Sequence, residues 1–256
     1  MIHPDTAVWR RKLKKARELG IQRALRQLFK RGLWTNICWS IGDLLERRFD
    51  RRYNVDTAGW VERKDTAETA VGSHGASGHD FISTPEYTLT RALDRLPEVE
   101  SFTFIDYGCG KGRPVLMAMT KPFSCVIGIE HNPELAAIAK KNLRTWSGQR
   151  RCRTVQIVCA DALEYDLPLE PLVLFFFGPF AEPTLYHLVM ERVLVSFEAK
   201  PRDIYILYVD AATQNEPDKI LLSSGFQRVP GPETCWDPGV VRDKLRFVLY
   251  SNAYKH

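Results

Sequence analysis

The sequence predicts an α/β fold: a doubly wound, mostly parallel seven-stranded sheet with an N-terminal helical extension. From residue 84 onward, short apolar segments alternate with segments of helical periodicity. The strand segments are apolar throughout, as in LVLFFF at residues 172–177, which is typical of parallel strands covered by helices on both faces. The last two strand segments, FQRV and KLRFVLY, have no clear helix between them and predict an antiparallel pair.

The first predicted element of this domain is a helix from Pro85 to Leu96, because Ser83 or Thr84 can cap it and proline favours a first turn. The remaining elements alternate along the chain. We predict strands at residues 101–106, 124–130, 154–161, 171–177, 203–210, 226–229 and 244–251, and helices at residues 113–119, 133–146, 182–197 and 219–223. Strands and helices in this order form a Rossmann-like sheet.

Positive charge is concentrated before this domain. Residues 1–52 contain 14 Lys and Arg residues against 5 Asp and Glu residues, whereas the whole chain has 36 against 31 and a net charge of +5. Helical spacing of apolar residues predicts basic helices at residues 8–31 and 34–49, the second with Trp34, Trp39, Leu44, Leu45 and Phe49. Such helices are expected to cap the sheet, or to contact RNA, an acidic partner or a membrane surface.

The chain is therefore predicted to have three parts: a basic helical extension at residues 1–56, a connector or lid at residues 57–83, and the α/β domain at residues 84–256. The connector is rich in Gly, Ala, Ser and Thr and shows no periodicity. It contains His74 and His79, and histidines are common in polar connectors.

Several classes of protein are excluded by composition. No run of 18 apolar residues exists, so no membrane span is predicted, and the start lacks the apolar stretch of a secretory signal. The six cysteines show neither a C-x-x-C pair nor a histidine at zinc-ligand spacing. We therefore expect a cytoplasmic protein without a bound metal or a disulfide framework.

A glycine-rich loop, FIDYGCGKGR at residues 104–113, follows the first strand of the domain. Gly108, Gly110 and Gly112 are spaced G-x-G-x-G, so the third glycine comes one residue earlier than in the dinucleotide fingerprint. Pro114 also removes a backbone amide that would otherwise bind phosphate. The loop is either a tight turn or a site where bare backbone approaches a nucleoside ligand that carries no phosphate.

Two acids follow the next two strands. Glu130 ends the second strand and is placed to accept both hydroxyls of a ribose. Asp161 follows the third strand, where its carboxylate and the Ala162 amide suit an adenine ring. Each acid taken alone is equally well explained as a helix cap, but the order of all three features favours a nucleoside site.

The motif order FIDYGCGKGR, VIGIEHNPEL, VCADAL and FFFGPF resembles the class I (seven-strand) S-adenosylmethionine-dependent methyltransferases over residues 84–256. RRYNVDTAGWV is similar to the N-terminal part of a bacterial group of such enzymes with unassigned substrates. The resemblance implies S-adenosyl-L-methionine as cofactor, S-adenosyl-L-homocysteine as product and no metal. It implies that the cofactor is bound by Asp106, Tyr107, Gly108, Cys109, Gly110, Gly112, Glu130, His131, Asp161, Ala162 and Phe177.

The same resemblance implies that the acceptor binds at the end of the fourth strand. Families that methylate nitrogen have Asn or Asp before a Pro-aromatic pair there, whereas this chain has Gly178 before Pro179 and Phe180. FISTPEYTL at residues 81–89 resembles a segment of lysine methyltransferases, including Ser83, Thr84, Pro85 and Tyr87, although Phe81 replaces the expected tyrosine. We therefore expect Gly178, Pro179, Phe180 and Tyr87 to contact the reacting groups, with a protein lysine as the favoured acceptor.

Other functions remain open at this point. The acceptor could be RNA, contacted by the basic N-terminal segment through phosphate attraction and aromatic stacking, or a small molecule. Gly178 also leaves open a module that binds the cofactor without turnover. A nicotinamide-dependent oxidoreductase is the rival class of enzyme, because it uses a similar glycine loop.

Overall fold

The computed structural model describes residues 40–61, 81–178, 183–211, 216–232, 234–235 and 245–252. Several predictions lie outside this range: the helix at residues 8–31, the start of the second basic helix with Trp34 and Trp39, most of the connector with His74 and His79, and Pro179 and Phe180.

Ten strands and six helices make up the described part of the chain. The helices are α1 (40–53), α2 (Glu86–Leu93), α3 (Arg113–Ala118), α4 (Pro133–Thr145), α5 (Pro183–Ala199) and α6 (Glu216–Ser223). The strands are β1 (Trp60–Val61), β2 (Phe81–Ile82), β3 (Thr103–Tyr107), β4 (Cys125–Glu130), β5 (Thr154–Cys159), β6 (Leu172–Phe177), β7 (Ile204–Ala211), β8 (Gln227–Arg228), β9 (Thr234–Cys235) and β10 (Leu245–Ser251).

The main sheet has the order β5-β4-β3-β6-β7-β10-β8, and β9 pairs with β10. Neighbouring strands from β5 to β7 are parallel, whereas β10 is antiparallel to both β7 and β8. The predicted doubly wound, mostly parallel seven-stranded sheet with an antiparallel final pair is confirmed. The strand order reverses between β3 and β6, and ligands of such sheets bind at this point, beyond the carboxyl ends of the strands.

Side chains of the central strands alternate between two apolar layers. Phe104 and Phe175 lie in one layer with Leu116 of α3, and Ile105 and Phe176 lie in the other. Because successive strand residues point to opposite faces, a continuously apolar strand buries both faces, as the sequence predicts. Helices α3 and α4 follow strands on one side, and α5 packs on the other through Val189 and Met190.

The described part of the N-terminal extension packs on the first layer through the end of α1. Phe49 is 1% exposed, and Tyr53 stacks on Trp146 at the end of α4 with ring centroids 4.4 Å apart. Leu44 and Leu45, predicted to share this apolar face, are instead exposed. Among the described residues, the contacts of this helix with the domain lie in its last turns, and the boundaries of the three predicted parts remain a prediction.

The start of α2 differs from the predicted capping. Pro85 is the N-terminal flanking residue of the helix, and no side chain caps it. The Thr84 carbonyl instead accepts a hydrogen bond from Arg113 at 3.2 Å. Tertiary contact therefore fixes this helix start in place of the local Ser83 or Thr84 cap, and the helix ends at Leu93 before the predicted Leu96.

Within the described residues, no helix is both long enough and apolar enough to cross a membrane. The described part of the chain likewise holds no group of three or more His, Cys, Asp or Glu side chains that would bind a metal ion.

Gly128 in β4 lies where no side chain fits. A Cβ atom there would stand 2.8 Å from Cys109 Sγ, Ile157 Cδ1 and Val115 Cγ2. We therefore expect Gly128→Ala to lower the free energy of unfolding by about 1–3 kcal/mol, as overpacking of a core does. Urea denaturation measures this change. Adding Ile157→Val removes one of the three overlapping atoms and should recover part of the loss; an unchanged midpoint for Gly128→Ala would contradict the packing.

Candidate functional site

The glycine loop runs from the end of β3 to the start of α3 and depends on left-handed backbone. Gly108, Gly110 and Gly112 have φ of 76°, 53° and 88°, a region that residues with a Cβ atom rarely adopt. The amides of Gly108 and Cys109 both donate to the Ile129 carbonyl at 2.9 Å. These two hydrogen bonds fix the loop against the end of β4. The loop is therefore held by a neighbouring strand and not only by contacts within a local turn.

Gly112 also allows α3 and α4 to approach each other. A Cβ atom at Gly112 would lie 3.1 Å from the Cβ atom of Ala139 in α4. The third glycine therefore serves helix packing as well as the turn. Its position brings the start of α3 close to Ala139 of α4.

Glu130, at the end of β4, is joined to the glycine loop by a hydrogen bond. Its Oε2 accepts from the Gly110 amide at 2.7 Å, its Oε1 accepts from the Asn132 amide at 2.9 Å, and His131 Nδ1 lies 3.3 Å from Oε1. Burial raises the pKa of Glu130, although His131 and the two amides act in the opposite direction. A carboxylate has about four acceptor positions, so capacity for further donors such as ribose hydroxyls is left.

Asp106 is the most unusual group of the site. It is 2% exposed, and its Oδ2 is buried without a hydrogen-bond partner. Burial, together with the neighbouring Glu130, raises the pKa of Asp106 well above its ordinary value. Burying a polar atom without a hydrogen-bond partner costs free energy. The unpaired Oδ2 of Asp106 therefore fits a site in which a bound ligand supplies a hydrogen-bond donor or a cation.

Asp161 and Ala162 follow β5 on the same edge of the sheet. Asp161 is buried, and its Oδ1 accepts from the Leu163 amide at 2.9 Å. Part of the carboxylate therefore closes the turn after β5, although no helix begins there as the capping alternative would require. Cys159 pairs with Glu130 across β5 and β4, which brings the residues after both strands to the same edge.

Gly178 follows β6 on this edge as well. Its φ is 47°, and a Cβ atom at this position would have open space around it. Phe177 is partly buried, and Tyr107 stacks on Phe176 with ring centroids 4.9 Å apart. Tyr87 is 49% exposed on α2, and its predicted role in catalysis stays a prediction.

Arg113 is a site residue that the sequence analysis did not single out. This first residue of α3 is 2% exposed, and its guanidinium lies 4.7 Å from the ring centroid of Phe49. Its Nε donates to Thr57 Oγ1 at 2.8 Å, and it forms an ion pair with Asp50 at 3.6 Å. Burial lowers the pKa of Arg113, whereas the carboxylates of Glu46 and Asp50 raise it.

Asn142 is a second residue that was missed. It is 1% exposed in α4, and its Nδ2 donates to the carbonyls of Asp56 at 2.8 Å and Lys111 at 2.9 Å. Its Oδ1 accepts from the Asp56 amide at 2.9 Å. The signal in the sequence was a polar residue on the apolar face of a helix, and Arg113 likewise precedes the apolar run PVLMAM.

Comparison with known proteins finds a methyltransferase family model that covers the glycine loop, Glu130 and Asp161. Residues 66–165 match the family model of protein-L-isoaspartate (D-aspartate) O-methyltransferase. This range includes the glycine loop, Glu130 and Asp161, but it is less than half of the chain and ends before β6. No curated protein gives a significant match.

Three similar solved structures are methyltransferases. One is an S-adenosylmethionine-dependent methyltransferase from Leishmania major (14% identity, 62% of this chain and 68% of that chain, TM-score 0.48). The second is an RNA methyltransferase from Salinibacter ruber in complex with S-adenosyl-L-homocysteine (19%, 66% and 92%, TM-score 0.43). The third is magnesium protoporphyrin IX methyltransferase from Synechocystis with bound S-adenosylmethionine (10%, 66% and 77%, TM-score 0.45).

The strand order and the glycine loop are those of the class I (seven-strand) S-adenosylmethionine-dependent methyltransferase fold, and the family model that matches residues 66–165 is that of a methyltransferase. The match over residues 66–165 supports S-adenosyl-L-methionine as the cofactor and S-adenosyl-L-homocysteine as the product. The fold itself rests on the order of the strands in this chain, with antiparallel β10 between β7 and β8.

Asp106→Asn should stabilise the protein without ligand. Because the pKa of Asp106 is raised in the folded state, its stabilising contribution is present at low pH and is lost as pH rises through that pKa. The free energy of unfolding of the uncharged variant should therefore be about 1–3 kcal/mol higher than that of the wild type at pH 8. This difference should become smaller toward pH 4.

Chemical denaturation at several pH values measures this difference, with the exposed Asp94→Asn as control. A variant less stable than the wild type at pH 8 would show that Asp106 has partners in the folded protein.

Proposed function

We propose that the protein transfers the methyl group of S-adenosylmethionine to a nitrogen atom, and that this nitrogen is the Nζ of a protein lysine. The proposal for the cofactor rests on Asp106 Oδ2. This carboxylate oxygen lies next to the glycine loop and is buried without a hydrogen-bond partner. The ammonium group on the methionine part of the cofactor is both a donor and a cation, and it fits this oxygen.

The proposed cofactor residues lie along one edge of the sheet. Asp106 accepts the ammonium group, and the backbone of the glycine loop lies against the methionine part. Glu130 accepts the ribose hydroxyls with the positions that the Gly110 and Asn132 amides do not use. Asp161 and the Ala162 amide contact the adenine. The lining is completed by Tyr107, Cys109, His131 and Phe177.

The bound cofactor supplies a methyl group activated by its sulfonium sulfur. A neutral lysine Nζ held in line with the S–C bond would take the methyl group and leave the electron pair of that bond on sulfur. The methylated ammonium would then release a proton to solvent water. The Gly178 carbonyl would accept a hydrogen bond from the amine. Pro179 and Phe180, which lie outside the described residues, are proposed as further acceptor contacts. Holding the nucleophile in line is the main contribution of the protein.

An amine acceptor is supported by the surroundings of the β6 end. Phe177, the last residue of β6, is partly buried against the first apolar layer, and an apolar neighbour of this kind favours a neutral lysine amine. Ser83, just before α2, is 2% exposed, and its Oγ is buried without a hydrogen-bond partner. The segment that resembles lysine methyltransferases therefore has a polar group available to the acceptor or the cofactor, and Tyr87 is proposed to contact the acceptor from α2.

A carboxylate acceptor is the second candidate, because the matching family model is named for an isoaspartate O-methyltransferase. The match ends at residue 165, before Gly178. It therefore covers most of the proposed cofactor-binding residues but not the proposed acceptor residues at the end of β6. Methylated RNA or small molecules are further outcomes that the same experiment separates.

Purified protein incubated with methyl-labelled S-adenosylmethionine and cell lysate tests the proposal. We expect label in protein that resists alkali, as an N-methyl group does, and trimethyl-, dimethyl- or monomethyl-lysine on hydrolysis. Alkali-labile label would indicate methyl esters, and label confined to RNA or small molecules would overturn the lysine acceptor.

Glu130→Gln should lower this labelling about tenfold or more, because it removes one acceptor oxygen from the ribose site. Glu134→Gln, an exposed change four residues further along, is the matched control and should leave labelling unchanged. Equal labelling by both variants would contradict the role of Glu130.

Gly178→Asn should raise turnover if the acceptor is an amine. Asparagine tolerates a φ of 47°, the Cβ atom has open space, and the side-chain oxygen adds an acceptor for the attacking nitrogen. One such hydrogen bond in the transition state corresponds to an increase in kcat of about tenfold. Gly178→Ala introduces a Cβ atom at the same φ, with at least as much backbone strain and without the acceptor, and is the control. A loss of kcat in Gly178→Asn beyond that of Gly178→Ala would argue against nitrogen chemistry.

A further inference from the structure

Both cations of the glycine loop contact the N-terminal extension. Lys111 Nζ donates to Asp56 Oδ1 at 3.0 Å and to the Ala58 carbonyl at 2.9 Å. Arg113, on the other side of Gly112, contacts Asp50 and Thr57. Lys111 and Arg113, the residues on either side of Gly112, are therefore attached to residues that lie more than 50 positions earlier in the chain.

Residues 49–59, which we call the docking segment, form one hydrogen-bonded unit. The carboxylate of Asp50 accepts from the Thr57 amide at 2.8 Å, from the Thr57 hydroxyl and from the Ala58 amide at 2.7 Å. The Gly59 amide donates to Glu46 at 3.2 Å. Thr57 is fully buried, so its hydroxyl links Asp50 of this unit to Arg113 of the domain.

The backbone of the glycine loop is held by the same unit. Asn142 donates to the carbonyl of Lys111 and to the carbonyl of Asp56 in the docking segment. One side-chain amide from α4 therefore bridges the loop and the docking segment. Thr84, which accepts from Arg113, adds the segment before α2 to this junction.

We propose that Arg113 and Asn142 are positioning residues, which hold the glycine loop in its cofactor-binding geometry by tying it to the docking segment. Three glycines give the loop large conformational freedom, and ordering it during binding would reduce affinity. Contacts on both sides of Gly112 order the loop before the cofactor arrives. Docking of residues 49–59 and binding of the cofactor are then thermodynamically coupled, so each strengthens the other.

This inference rests on the proposed cofactor site, and Thr57→Val tests it with the shape of the buried side chain retained. The change removes the hydrogen bonds to Arg113 and Asp50. We expect the Kd for S-adenosylhomocysteine, measured by calorimetry well below the unfolding temperature, to rise about five- to tenfold. KM for S-adenosylmethionine should rise by a similar factor, with a smaller change in kcat.

Phe226→Leu is the matched control, because Phe226 is buried in the other apolar layer and the change lowers stability without touching the docking segment. Its Kd should equal that of the wild type. A folded Thr57→Val variant with the wild-type Kd would overturn the positioning role. Equal losses of affinity in Thr57→Val and Phe226→Leu would overturn it too, because stability alone would explain both.

Hydrogen exchange of the unmodified protein gives a second test, which does not depend on a variant that folds. Saturating S-adenosylhomocysteine should slow exchange at the amides of Asp56, Thr57 and Ala58, which donate to Asn142 and Asp50. Binding without any slowing at these amides would overturn the coupling. Failure of the wild type to bind S-adenosylhomocysteine would instead overturn the proposed cofactor site, and the inference with it.

Discussion

The carbonyl of Ile129 accepts hydrogen bonds from two successive amides, those of Gly108 and Cys109, and the rest of the site depends on this contact. It turns the chain sharply at the end of β3 and holds the turn across β4. The next residue of β4, Glu130, is thereby close enough to accept from Gly110. One backbone oxygen thus determines both the position of the loop and the position of the proposed ribose acceptor.

The fold could be predicted from the sequence because its signals are local. Continuously apolar strands such as LVLFFF identify a parallel sheet, and the order of elements restricts the topology to few possibilities. The positions of the loop glycines, Glu130 and Asp161 at one edge followed from the same reasoning, because each of them comes at or just after the end of a parallel strand. Their contacts with one another could not be predicted, since they depend on side-chain geometry.

What could not be predicted has a common physical cause. The contacts of Arg113, Asn142 and Thr57 join residues that are far apart in the sequence. Neither the periodicity of apolar residues nor the spacing of a motif predicts such contacts. A cap by Ser83 or Thr84 was expected from local preference, yet no side chain caps α2, and the Thr84 carbonyl accepts a hydrogen bond from Arg113. Leu44 was expected on a buried face from helical spacing, but it is exposed, whereas Phe49 further along α1 is buried.

Every residue of α3 is buried, from Arg113 to Ala118. A helix enclosed in this way moves only if the core repacks, and well-packed interiors resist such changes. The glycine loop leads directly into this rigid helix, so adjustment of the proposed site to acceptors of different shape must come from other segments. Divergence in substrate preference among proteins built on this plan would then be concentrated in the segments around the β6 end and before α2, while the nucleoside half stays nearly constant in shape.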